Sequence, residues 1–155
     1  MNTEEFKSVV SAFHESLRLV PEDLTAVRPG PDKWSLREIV GHLVDSASNN
    51  HQRFVRLHEE KTLVFPFYDQ ERWIRIQQYN DFGWSRLVEL WHAYNIFLLH
   101  VVEKADSSCL GNTWKINGES VTLEWLICDY YRHLKGHIEH FHERLGEIQS
   151  GGTND

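Results

Sequence analysis

The sequence predicts an all-α four-helix bundle, and three observations carry that prediction. Four segments place apolar residues at the spacings of three and four that mark one face of a helix. Clusters of proline, glycine and polar residues interrupt them. The chain is 155 residues long and 41% hydrophobic, enough for the inward faces of four helices to share one core.

The first helix covers residues 2 to 20, with Phe6, Val10, Phe13, Leu17 and Val20 in phase, and ends at Pro21. Arg28-Pro29-Gly30-Pro31-Asp32 then forces a turn, because proline fixes φ and biases the residue before it out of the α region. Ser35-Leu36-Arg37-Glu38 reads as a capping box, in which hydroxyl and carboxylate satisfy amides that a helix start leaves orphaned. The second helix follows, burying Leu36, Ile39, Leu43, Ala47, Phe54 and Leu57. From about residue 60 to 83 the pattern weakens into an unusually long connector, with a helical stretch from Gln70 to Tyr79. The third helix restarts near Ser85, carries Leu87, Leu90, Trp91, Tyr94, Leu98 and Val101, and fades around Asp106. Thr113 to Glu119 has turn chemistry at Asn117-Gly118 and a hairpin-like excursion. The fourth helix starts near Val121 or Thr122, with Leu123, Leu126, Ile127, Tyr130, Leu134, Ile138, Phe141 and Leu145 inward. Residues 1–149 form a single domain, and the polar, glycine-rich tail 150–155 is expected to be mobile. The short joint makes the first two helices antiparallel neighbours. The long connector leaves room to return along a helix length, which permits an up-down-down-up order with the second and fourth helices antiparallel.

Sixteen Lys plus Arg against 23 Asp plus Glu give a net charge of −7, a field that repels phosphate backbones and anionic lipid. Nucleic acid and membrane surfaces are therefore poor partners. Two cysteines, Cys109 and Cys128, imply no disulfide framework and fit a reducing compartment. The opening residues lack a signal peptide's basic and apolar regions, and no stretch approaches the roughly 18 apolar residues of a spanning helix. A cytoplasmic protein is expected.

Ten histidines are the anomaly. His133 and His137 stand four apart on the fourth helix, one turn above each other, so their rings can point at a shared centre beside the apolar stripe. By itself such a pair also occurs on wet helix faces. His42 borders the stripe of the second helix, and in an antiparallel pairing it lies roughly 10 Å from the end that His137 lies roughly 15 Å from. Those levels permit one site with three imidazoles.

The run Lys33-Trp34-Ser35-Leu36-Arg37-Glu38-Ile39-Val40-Gly41-His42-Leu43-Val44-Asp45-Ser46, with Asn117-Gly118-Glu119-Ser120-Val121-Thr122-Leu123 and Tyr131-Arg132-His133-Leu134-Lys135-Gly136-His137-Ile138-Glu139-His140, resembles the DinB/YfiT-like family of metal-dependent enzymes. The resemblance covers most of the chain in order and spacing. It implies a bundle in the up-down-down-up arrangement, a homodimer, and a divalent metal held by one histidine of the second helix and an H-x-x-x-H pair of the last. Those positions match His42, His133 and His137. His140 stands where the family commonly has glutamine, which leaves it open as an extra ligand, an outer donor or neither.

Three imidazoles leave coordination positions free, the arrangement of a catalytic rather than a closed structural ion. Such an ion acidifies water, polarises a carbonyl or holds a thiolate, and zinc or nickel suits imidazole best, with iron and manganese behind. The expected activity is hydrolysis of a small molecule or transfer of a low-molecular-weight thiol, both associated with relatives of this kind. The alternative is a non-catalytic metal-binding or dimeric interaction bundle. Asp45, three residues after His42, is a candidate base or imidazole partner, and equally a plain carboxylate. His14, His51, His58, His92, His100 and His142 read as surface groups, the six tryptophans and Cys128 as packing. Phe65, Phe67, Tyr68 and Trp73 crowd the long connector, where pocket walls arise, although capping the bundle is the first reading.

Overall fold

A computed structural model describes residues 2–151 of the protein. Its elements are α1 (Thr3–Arg18), α2 (Leu36–Glu59), β1 (Thr62–Val64), α3 (Gln70–Gln77), α4 (Trp84–Glu103), β2 (Thr113–Ile116), β3 (Glu119–Thr122) and α5 (Leu123–Gly151), with short 3-10 turns between some of them. The four long helices α1, α2, α4 and α5 are the four expected from periodicity, and α3 is the helical piece of the connector.

The apolar phases explain the packing. Phe6, Val10, Phe13 and Leu17 of α1 are all buried, as are Leu36, Ile39, Leu43, Ala47, Phe54 and Leu57 of α2. The capping box forms: Ser35 Oγ accepts from the Glu38 amide at 3.2 Å, and Glu38 Oε2 accepts from the Ser35 amide at 2.9 Å. Arg28, from the proline-glycine turn, pairs with the buried Glu38 carboxylate, so the turn is anchored to the helix it precedes.

Contacts give the relative senses of the helices. Along α2 and its cap the partners on α5 descend: the Trp34 carbonyl accepts from Arg144, His42 faces His137 and His133, and Phe54 meets Tyr130. The two helices run in opposite senses. So do α1 and α4, since Phe13 packs on Trp91 while the Leu17 carbonyl accepts from Trp84 Nε1. Between α1 and α5 the order is the same, Phe6 on Tyr130 and Phe13 on Phe141.

The all-α expectation needs one correction, a three-stranded sheet in the order β1-β2-β3. Strands β2 and β3 form the hairpin, from Thr113↔Thr122 to Ile116↔Glu119, around Asn117 (φ 49°) and Gly118 (φ 85°). Positive φ at both central residues is what a type I′ hairpin turn demands, and Asn-Gly supplies it at least cost. Strand β1 adds in parallel, Leu63 opposite Trp114, and these two side chains are buried. Three residues of β1 are too few for a period to register in sequence.

Helix α5 continues through Ser150 and Gly151, the first residues of the tail expected to be mobile. Residues 152–155 lie outside the described part. Cys128 is exposed rather than packed, a correction. No described helix is long and apolar enough to cross a membrane.

Candidate metal centre

His42 stands on the second turn of α2, and His133 and His137 stand one turn apart on the facing stretch of α5. Their ring centroids are 5.3 Å (His42–His133), 4.6 Å (His42–His137) and 4.4 Å (His133–His137) apart. One ligand atom from each ring lies within 4.8 Å of the others, and Nε2 of His42 is 3.4 Å from Nε2 of His133. Two nitrogens about 2.05 Å from a tetrahedral ion stand roughly 3.3 Å apart, so this pair has the spacing that shared ligation requires.

The electrostatics agree with the geometry. His42 is buried and the other two are half-buried. Burial pushes the His42 imidazole down to about 3, and the neighbouring His137, His133 and His140 push the same way. Burial, then His133 and His140, takes His137 down to about 4, and burial lowers His133 against the pull of Asp129. Near neutral pH these rings are uncharged, the form that ligates a metal. Nδ1 of His42 and Nδ1 of His137 are buried without a hydrogen-bond partner, whereas Nδ1 of His133 has Ser46 Oγ at 3.5 Å. Three neutral nitrogen donors beside such unpartnered atoms fit a divalent cation of the zinc or nickel type.

The other sequence candidates fall outside this trio. His140 is 6.0 Å from His137 between centroids, with its Nε2 against Arg144 Nη2 at 3.2 Å. Asp45 is buried, but Oδ1 accepts from Tyr79 Oη and Gln77 Nε2, each at 2.7 Å, and no described imidazole donates to it. Burial raises the Asp45 carboxyl while these two donors lower it. The Tyr79 ring reaches Asp45 because Gly41 has no side chain: a Cβ there would meet the ring at 2.2 Å.

Beside the trio stand two aromatic rings, Trp34 (5.2 Å from His42 between centroids) and Tyr68 (6.5 Å). A cavity of about 350 Å³ opens beside it, with His42, His133, Arg53, Tyr68, Trp114 and Trp125 in its wall. Sequence reasoning missed Arg53 and Trp114; the available signal was that Arg53 follows His42, Ser46 and Asn50 at helical spacing. Phe67 and Tyr68 are wall residues, as crowding in the connector suggested.

One further cluster corrects the surface reading of His14, which is buried. His14, Glu89 and His92 bring ligand atoms within 4.8 Å, and His14 Nε2 is 3.2 Å from Glu89 Oε1. The rings of His14 and His92 stack at 3.8 Å and 5°. Parallel rings aim their lone pairs side by side rather than at one point, so this cluster is a stacked pair of rings between α1 and α4, with Glu89 against His14.

Comparison with known proteins agrees with this architecture. The solved structure of YfiT from Bacillus subtilis, described as a probable metal-dependent hydrolase with an unusual four-helix bundle topology, superposes with a TM-score of 0.78 at 19% identity, covering 95% of this chain and 87% of that one. At that identity the likeness speaks for the fold. No curated protein matches the sequence. The model of the DinB superfamily matches residues 5–141, a span that reaches from α1 into α5 and includes all three converging histidines, and the chain belongs to that superfamily.

Proposed function

We propose that this protein is a metal-dependent enzyme acting on a small molecule, with His42, His133 and His137 as the ligands of a divalent ion, zinc or nickel first. The observation that carries the reading is the convergence of three uncharged imidazoles, two of which, His42 and His133, stand in the wall of a cavity. The helix senses support the up-down-down-up order: α1 runs with α5 and against α4, and α2 runs against α5, which levels His42 with His133 and His137.

A divalent ion held by three histidines supplies Lewis acidity and lowers the pKa of water or of a thiol at its open positions. The chain does the rest. Burial keeps the three rings deprotonated and available as donors. Trp34 and Tyr68 flank the His42 ring, and Tyr79 with Gln77 fixes the Asp45 carboxylate on α2. Hydrolysis is the first of the two reactions, supported by the description of YfiT as a probable metal-dependent hydrolase; transfer of a low-molecular-weight thiol to an electrophile is the other. A passive metal-binding bundle is the competing reading, favoured by one observation: Asp45, the carboxylate nearest in sequence to His42, is occupied by Tyr79 and Gln77, and among the described residues no carboxylate hydrogen-bonds to the three rings.

Zinc- and nickel-loaded protein challenged with ester, amide and thiol-plus-electrophile panels separates these readings. Turnover above that of the free ion, abolished by His137→Ala, is expected. Turnover no faster than the free ion in every panel contradicts the enzyme reading and leaves the passive one.

A further inference from the structure

Arg53 stands on α2 in phase with His42, Ser46 and Asn50, at spacings of four, four and three that keep one helix face toward the cavity. It is 5% exposed, and it forms no ion pair among the described residues. Its guanidinium lies 4.0 Å over the Trp114 ring, and Nη1 donates to Asn50 Oδ1 at 3.3 Å. The other two nitrogens, Nε and Nη2, are buried with no acceptor. Burial without a counter-charge lowers this group from its ordinary value to about 10. Buried charges in proteins are ordinarily paired, because desolvating one alone costs several kcal/mol. Something has to offset that cost, and the protein supplies only a ring face and one amide oxygen. The acidic residues in the same wall do not: Asp129 is held by Arg132, and Glu119 is exposed.

The unpartnered pair has a definite shape. Nε and Nη2 form one edge of the planar guanidinium, two parallel N–H donors that match the two oxygens of a carboxylate. Asn50 holds the opposite side and Trp114 the face, so the edge is fixed in direction; both its atoms are covered in the ligand-free protein, and the groups over them must part for a ligand to pair with it. We infer that Arg53 is the carboxylate-recognition residue of the site, and that its ligand is a small carboxylic acid whose acid group pairs with the Nε–Nη2 edge while its other end faces His42 and His133. The inference rests on the metal-site reading only for what lies at that other end. A cavity of about 350 Å³ is at the small end of ligand sites, and its apolar wall, Trp114, Ile116, Val121 and Leu126, suits a short hydrocarbon body. A single negative charge balances one cation in a wall that also carries two carboxylates, whereas a phosphate dianion would be in excess there. About 16 Å of helix rise separates Arg53 from His42, so the arginine positions the substrate and does not touch the reacting atoms.

The test titrates full-length protein by calorimetry, metal-free and zinc-loaded, with hexanoate, a monocarboxylate with a short hydrocarbon body, and separately with inorganic phosphate. The wild type and Arg53→Met are compared, with Arg53→Lys, which keeps the stem and the charge, as the second variant should the first not fold. Hexanoate is expected to bind the wild type in both states and about 10- to 100-fold more weakly to Arg53→Met, the scale of two charge-assisted hydrogen bonds. Arg53→Lys is expected to recover only part of the loss, while zinc affinity stays unchanged in both variants. Thermal unfolding of metal-free Arg53→Met at or above the wild-type temperature also supports the inference, because an uncompensated buried cation has been removed. Equal hexanoate affinity in the wild type and variants, no hexanoate binding by the wild type, or tighter Arg53-dependent binding of phosphate overturns it. Failure of the wild type to bind zinc would count against the metal reading alone, since the metal-free titration reads Arg53 by itself.

Discussion

The imidazoles of His42 and His137, held at about 3 and about 4 instead of the ordinary 6.5, tie stability to pH in a definite direction. Below about 6.5 the unfolded chain takes up protons that the folded site refuses, so acid favours unfolding; above 6.5 neither state binds them and the contribution is fully present. The metal-free protein is expected to lose stability steadily from about pH 6.5 to pH 4, and His42→Phe to flatten that slope, as urea unfolding at a series of pH values would measure. A slope unchanged by the substitution would mean that other groups set it. The His133–His137 pair was legible because i,i+4 spacing is a property of the sequence itself, whereas joining His42 to it rested on the resemblance to the DinB/YfiT-like family. Arg53 was not, since an arginine in the apolar phase of a helix usually extends its head to water, and only the tertiary wall around it shows that it does not.

At the scale of elements, the approach of Tyr79 to α2 decides where the neighbours of the histidines lie. Gly41→Ala would place a methyl at 2.2 Å from the Tyr79 ring and must push the ring off the helix, breaking its hydrogen bond to Asp45. A loss of about 1–3 kcal/mol is expected, with weaker zinc binding because His42 is the next residue. Gly136→Ala, midway between His133 and His137 on α5, meets nothing within 4 Å, and should gain roughly 0.5–1 kcal/mol with zinc binding intact. Calorimetric melting and zinc titration of the two variants test the contrast; equal effects would contradict it. Ser35-x-x-Glu38 and Asn117-Gly118 announced their helix start and hairpin turn because each carries a local hydrogen-bond or dihedral requirement. Strand β1 announced nothing: it exists only because β2 offers it an edge, with Leu63 buried opposite Trp114.

For the whole molecule, the site is a seam between α2 and α5, two helices joined in sequence only through α3, α4 and the sheet. The long connector permitted their opposed senses without requiring them, because a chain that returns along a helix length needs that many residues. The cavity wall was not readable, as it is assembled from the connector, the hairpin and both helices at once. An ion bound across the seam binds the folded state alone, so zinc at 100 times its Kd should stabilise the protein by about 2.7 kcal/mol. The most direct test is the zinc content of tag-free protein by elemental analysis, beside His42→Ala, His133→Ala, His137→Ala and the control His14→Ala. The account predicts close to one ion per chain in the parent and in His14→Ala, and almost none in the other three. Undiminished zinc in those three, or its loss in His14→Ala alone, would contradict it.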